Sequence, residues 1–177
     1  MTLAEAINFI LGILSVVAQV GILWLLAVWL FDLKMPRIIR IHALPLAFTA
    51  ALIATLGSLT YSEILGYEPC KLCWIQRILM YPQVLILGLA LWGRHKGVRA
   101  LLDSSLVLSG VGAVVALYHY LMQLGIVPEG SCAAVGYSVS CAKVFVMTFG
   151  YITIPLMALS AFLLIILSLR LVTRQNE

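Results

Sequence analysis

The stretch Pro69-Cys70-Lys71-Leu72-Cys73-Trp74-Ile75-Gln76-Arg77 interrupts a chain that is otherwise a succession of long apolar runs. It follows a short polar turn holding Glu63, Gly66 and Glu68, and it opens the next apolar run. Two cysteines separated by two residues form a tight disulfide that opens and closes during thiol exchange. A helix beginning near Pro69 or Cys70 puts Cys73 in its first turn, where unpaired N–H groups and the positive end of the dipole favour a thiolate. Arg77 stands at i+4 from Cys73, on the same helix face, and brings a permanent positive charge. The stretch reads as a redox centre at a membrane surface.

The composition supplies the membrane. Of the 177 residues, 63% are hydrophobic and 10% are charged, where a soluble domain carries about 25% charged residues. Such a chain cannot cover itself with polar surface, so the bilayer must be its solvent. The net charge of +4 does not point to nucleic acid, because the basic residues gather at the ends of apolar runs, where they act as topology signals.

Working outward from the cysteines, five runs are long enough to span. The first covers residues 9–31. It has no basic segment before it and exceeds the core of a secretory signal; at 1.5 Å per residue it reaches about 34 Å. The others cover 41–65, 73–92, 100–124 and 149–171. Pro45 falls in the first turns of the second run, where proline is tolerated, whereas Pro82 inside the third predicts a kink. Gly110 and Gly112 mark places for close helix packing in the fourth. The segments 34–40 and 94–99 and the C-terminus hold eight of the eleven Lys and Arg residues; Lys71, Arg77 and Lys143 lie on the opposite side. The positive-inside rule makes the first side cytoplasmic. The N-terminus, the CxxC turn and the 125–148 loop with Cys132 and Cys141 are then external, in an oxidising compartment where disulfides persist.

Each feature has a plainer reading. Cys70 and Cys73 compete with a structural disulfide, which closes too small a ring to constrain much, and with zinc. A four-cysteine zinc site wants two short pairs, and the second pair here is Cys132-x8-Cys141. That second pair is as readily a loop staple as a redox pair. Four cysteines allow three pairings, and spacing does not choose among them. Arg77 competes with a simple interfacial anchor. His119 and Gln123, one helical turn apart near the external end of the fourth run, compete with interhelical hydrogen bonding, though polar residues within a span carry a functional expectation by default. Trp74, Tyr81, Tyr118 and Tyr120 read as interfacial aromatics.

These residues resemble a known family. The CxxC block through Arg77, the Tyr118-His119-Tyr120-Leu121-Met122-Gln123 block and Phe149-Gly150-Tyr151-Ile152-Thr153-Ile154-Pro155 are similar to the disulfide bond formation protein B (DsbB) family, nearest its BdbC-type branch. The similarity covers roughly residues 41–171. It implies an all-α integral membrane protein, a four-helix transmembrane bundle over residues 34–177, preceded here by an extra N-terminal transmembrane helix within 1–33. It further implies a thiol oxidase of the bacterial cytoplasmic membrane that reoxidises a DsbA-like thioredoxin-fold partner and passes the electrons to a quinone, ubiquinone or menaquinone. Cys70 and Cys73 would be the quinone-linked pair, with Cys73 nearest the quinone. Arg77, His119 and Gln123 would lie beside the quinone head, and Cys132 and Cys141 would meet the partner, Cys132 being the site of the mixed disulfide. No metal and no nucleic acid enter this reading. Gln76 replaces an acidic residue found in some members. Two rivals remain: a quinone or vitamin K epoxide reductase running the same parts backward, and a scaffold membrane protein with stapled loops.

Overall fold

The computed structural model describes residues 2–31, 37–93, 97–129, 132 and 139–173. Lys34, Arg94, His95, Lys96, Gly130, Gly136 and Arg174, on which parts of the topology and loop reading rest, lie outside the described residues, as do the side chains of Arg37 and Arg40. Among the described residues five α-helices follow in order: α1 (Leu3–Leu30), α2 (Arg37–Leu59), α3 (Lys71–Trp92), α4 (Val98–Gln123) and α5 (Ile154–Thr173). All five are long and apolar enough to cross a membrane. Among the described residues no strand forms, apart from a single bridge between Thr148 and Ile152. This is the all-helical membrane architecture expected from the apolar runs.

The helix ends differ from the run ends for local reasons. α1 starts six residues earlier than the first run because Thr2 and Glu5 form a capping box: Glu5 N–H donates to Thr2 Oγ1 at 3.3 Å and Thr2 N–H to a Glu5 carboxylate oxygen at 2.8 Å. That T-x-x-E signal was present in the sequence and satisfies two N–H groups that a bare helix end leaves unpaired. α2 continues into a π-helical turn, Thr60–Ile64. The last helix starts five residues later than expected. Thr148 and Ile152 exchange two backbone hydrogen bonds of 2.9 Å around Phe149 (φ 54) and Gly150 (φ 80), so the apolar segment begins as a tight turn rather than as helix.

α2, α3, α4 and α5 pack in sequence, and α5 closes back on α2, giving the four-helix bundle; α1 packs against α5. The bundle core is built from small and large residues in register: Ala47 and Ala51 of α2, Leu87 of α3, Ala116 of α4 and Phe162 and Ile165 of α5 are fully buried. At Gly112 α4 and α5 approach closely: a Cβ there would run into the Phe162 ring. Gly110, expected to serve the same purpose, has open space where its Cβ would be. Two positions along a helix turn by about 200°, so the two glycines lie on different faces and only Gly112 meets α5.

A polar knot ties α3 to α4 in mid-bundle. The buried Gln83 carbonyl oxygen accepts from Ser105 Oγ at 2.8 Å and Ser109 Oγ at 2.9 Å, while its amide donates to the Leu79 carbonyl at 3.0 Å. In an apolar medium such bonds fix which faces meet, each adding roughly 0.6 kcal/mol.

Candidate functional site: two cysteine pairs joined by a histidine

The site forms at the end of the bundle where α3 begins and α4 ends. Gly66, at φ +68, lets the chain reverse after the π-helical turn and run extended to Cys70. Cys70 is the N-cap of α3, and its Sγ accepts the Cys73 backbone N–H at 3.4 Å. The Cys70 sulfur lies 3.0 Å from Cys73 Sγ and 3.7 Å from His119 Nε2. Both thiols of this pair are free, whereas Cys132 and Cys141 are joined in a disulfide. The pairing left open by spacing is therefore 132 with 141, leaving 70 beside 73.

The two pairs are not separate. Cys70, Cys132, Cys141 and Met122 form one buried cluster, with Cys73, Leu72 and Ala142 packed on it. His119 of α4 is the junction. Its Nε2 is 3.0 Å from the Cys141 carbonyl oxygen, which only accepts, so Nε2 carries a proton and points toward both that carbonyl and Cys70. Its Nδ1 then accepts from Gln76 Nε2 at 3.0 Å. Gln76, one turn into α3 and buried, thus orients the imidazole, a role that the sequence reading did not give it. The available signal was an amide within an apolar helix three residues past a cysteine.

Gln123 sits one turn beyond His119 and donates to the Lys143 carbonyl at 3.2 Å, while Ser140 Oγ donates to Glu129 at 2.7 Å. Together these bonds hold the returning loop over the cysteines. His119 and Gln123 line a small space with Cys70, Cys73 and Lys143. Arg77 lies elsewhere. Its Nε and one terminal N–H donate to Ser58 Oγ (3.0 Å) and the Ser58 carbonyl (3.1 Å) of α2, Tyr81 adds a bond to the same hydroxyl at 3.2 Å, and the guanidinium stands 5.5 Å from the centre of the Trp74 ring. Ser58 is a second residue that sequence reasoning passed over, because nothing local marks a serine on another helix as the guanidinium's anchor.

A cavity of about 440 Å³ opens beside Arg77. Cys73, Gln76, Arg77, Ser58 and Tyr81 border one end, and the remainder is lined mainly by apolar residues of α1, α2 and α5. Cys73 borders this cavity and also the small space beside the second cysteine pair. Of the three residues expected beside a quinone head, Arg77 reaches the cavity lining, and His119 and Gln123 face the other space.

The electrostatics single out Cys70. The Cys73 thiol bonded to its sulfur holds the Cys70 thiol well below the ordinary range; burial opposes this, and the His119 ring and Cys73 N–H add to the lowering. The sequence reading placed the favoured thiolate on Cys73, in the first turn. With Cys70 as N-cap, the exposed N–H of the first turn points at Cys70 instead. The atoms Cys70 Sγ, Cys73 Sγ and a His119 ring nitrogen also lie within 4.8 Å of one another, and the four-cysteine zinc arrangement does not form because the second pair is a disulfide.

A multi-pass membrane bundle with a thiolate-favouring CxxC packed on a disulfide defines a membrane thiol–disulfide oxidoreductase. The chain belongs to the DsbB family: the profile of the family described as "Disulfide bond formation protein DsbB" matches residues 40–172, and disulfide bond formation is its role. It is similar to a "Probable disulfide formation protein" of Oceanobacillus iheyensis, 46% identical over 76% of this chain and 91% of the relative. It is likewise similar to "Disulfide bond formation protein C" of Bacillus subtilis, 44% identical over 74% of this chain and 90% of the relative. The "SPbeta prophage-derived disulfide bond formation protein B" of the same organism is 38% identical over 75% of this chain and 86% of the relative. No solved structure matches the chain.

Proposed function

We propose that this protein oxidises a DsbA-like thioredoxin-fold dithiol protein outside the bacterial cytoplasmic membrane and delivers the two electrons to a membrane quinone. The observation that carries the reading is the double exposure of Cys73, which borders the space beside the Cys132–Cys141 disulfide and also the membrane cavity. Electrons entering at the second pair have a route to the first, and the first has a face toward a site for a lipid-soluble acceptor.

The partner's thiolate attacks one sulfur of Cys132–Cys141 and its second thiol completes the partner disulfide, leaving Cys132 and Cys141 reduced. Those thiols then reduce a Cys70–Cys73 disulfide and re-form their own. A quinone, when bound, would take up two electrons as Cys70 and Cys73 rejoin, with one proton from the Cys73 thiol and the second from solvent. The donors fit such a ligand: Arg77 has five N–H groups, Ser58 takes two of them, and the polar residues stand at one end of an otherwise apolar cavity. Gln76 and Arg77 would hold the head. The bonds to Cys73 and His119 favour the negative charge on Cys70 in the dithiol state, and the loop over the cysteines limits water. His119, between the Cys141 carbonyl and Cys70, points its Nε2–H where it can hydrogen-bond and so stabilise a thiolate on Cys70. The eight-to-three division of Lys and Arg supports the external placement of both pairs.

The test is a purified system containing the protein, a reduced thioredoxin-fold partner and a quinone. One quinone should be reduced for each partner disulfide formed; partner oxidation without quinone reduction would end the reading. Arg77 gives a finer check. Arg77→Lys keeps the charge and loses the fork that grips Ser58, so the KM for quinone should rise about tenfold, and Arg77→Met should raise it further. Equal KM in all three versions would make Arg77 a membrane anchor.

A further inference from the structure

α1 lies outside the region matched by the family, which begins at residue 40. A helix serving only as a membrane anchor would bury its polar groups against nothing in particular. α1 instead is latched to the bundle: Gln19 Nε2 donates to Ser160 Oγ of α5 at 3.3 Å, and Tyr151 Oη, from the turn before α5, donates to Gln19 Oε1 at 3.0 Å. Ile22 and Leu25 add an apolar seam against Leu164. At the cysteine end, Leu11 reaches α2 beside Gly57, and Phe9 packs on Phe149 at 6.1 Å between ring centres. This latch places a second face of α1, with Leu14, Ala18, Gly21 and Trp24, along the cavity beside Arg77.

The cavity is elongated. On α2 its lining runs from Ser58 to Leu46, a difference of twelve positions and about 18 Å along a helix. Most of its polar groups stand at the cysteine end, with Thr49 and Ser160 farther along; over most of the remainder α1 and α2 present aliphatic side chains. A site of this shape suits an amphiphile with a compact polar head and a long hydrocarbon chain, and far exceeds the length of a single ring. Its volume falls within the roughly 300–1,000 Å³ of small-molecule sites. Without α1, the α2 and α5 side of this space would face bulk lipid.

We propose that α1 is the outer wall of a channel for the prenyl tail of the quinone, so that this chain selects long-tailed acceptors through a helix outside the family core. The inference rests on the quinone reading above. Ala18 and Gly21 are small apolar residues that α1 contributes to the lining: the nearest atom to a Cβ built on Gly21 is Leu164 Cδ1 at 4.0 Å, so the glycine leaves room in the channel that a larger side chain would take.

The experiment compares Ala18→Phe and Gly21→Phe with Leu23→Phe, which faces outward at 67% exposure and does not border the cavity. Each is assayed with a long-tailed quinone and with a tail-less analogue of the same head. The channel-filling variants should raise KM for the long-tailed acceptor about tenfold or more, equivalent to about 1.4 kcal/mol. They should leave the tail-less acceptor and partner oxidation in a single turnover unchanged, and Leu23→Phe should change neither. Gln19→Leu, which adds no bulk to the channel but releases the latch, should weaken the long-tailed acceptor alone. Equal effects on both acceptors, or none on either, overturn the proposal; the second result is also expected if an ordinary phospholipid chain fills the space. A photoreactive prenyl quinone provides a readout independent of turnover and should cross-link to α1 residues in the purified protein. Cross-linking to α1 without quinone reduction would support the channel while overturning the proposed electron acceptor. Quinone reduction without such cross-linking would overturn the channel alone.

Discussion

Reduced protein carrying Cys132→Ser and Cys141→Ser is expected to hold a thiolate at about pH 6, where an ordinary thiol of pKa about 8.5 is less than about 1% ionised. The thiolate is Cys70. Its sulfur accepts the Cys73 thiol at 3.0 Å and the Cys73 backbone N–H at 3.4 Å, with His119 Nε2 at 3.7 Å, and these favour the anion against the opposing effect of burial. Ultraviolet thiolate absorbance followed against pH reads this directly. Cys70→Ser should remove the acidic step, and His119→Leu should move it upward by removing one of the three groups.

The sign of the stability effect follows. A group whose acidic form is disfavoured in the folded state stabilises the reduced protein fully above the ordinary thiol range, and that stabilisation is lost as pH falls through the lowered value. The reduced protein should therefore lose thermal stability on acidification relative to the form in which Cys70 and Cys73 are joined. Stabilising the dithiol also makes the Cys70–Cys73 disulfide a stronger oxidant, as an acceptor of electrons from another cysteine pair requires. If absorbance develops only in the ordinary range, Cys70 is an unactivated thiol and this explanation of the pair's oxidising strength fails.

The same double serine variant should lose turnover with a protein dithiol by about a hundredfold or more, the scale of losing a positioned intramolecular reactant. It should keep quinone reduction when a small dithiol such as dithiothreitol is supplied. The reason is geometric. Cys132 and Cys141 pack in one cluster with Cys70, and His119 touches the first pair through its sulfur and the second through the Cys141 carbonyl. Cys132 is 7% exposed and Cys141 is 1% exposed, so Cys132 is the expected point of attack, and the single variant Cys132→Ser should block electron entry from the partner as fully as the double. Normal turnover of the protein dithiol by the double variant would reduce the second pair to a staple of the loop.

Much of this was legible before any coordinates. The membrane class follows from composition, because a chain with 10% charged residues has no way to satisfy its surface in water. The number of spans follows from the lengths of the apolar runs, since helix rise and bilayer thickness are fixed quantities. The CxxC with Arg77 one turn on carried its own chemical reading. Helix ends were read less well: the Thr2–Glu5 capping box extended α1, and the turn closed by Thr148 and Ile152 delayed α5. Hydropathy does not register either event, because both are matters of where backbone N–H groups find partners.

What only the tertiary structure decided is who meets whom across helices. Spacing within one helix places Arg77 on the face of Cys73, and the guanidinium nevertheless goes to Ser58 of α2. His119 and Gln123 share a face of α4, and that face turns to the cysteine pairs rather than to the cavity beside Arg77. Cys70 takes the helix-end N–H because it occupies the cap itself, a one-residue matter of where α3 starts. Gln76 and α1 acquire their places only through contacts with α4 and α5. A sequence pattern specifies neighbours along one helix through the 3.6-residue repeat. Which face of one helix packs against which face of another is set by shape and by a few buried hydrogen bonds, here those of Gln83, Gln19 and His119, whose partners lie 22 to 141 residues away along the chain.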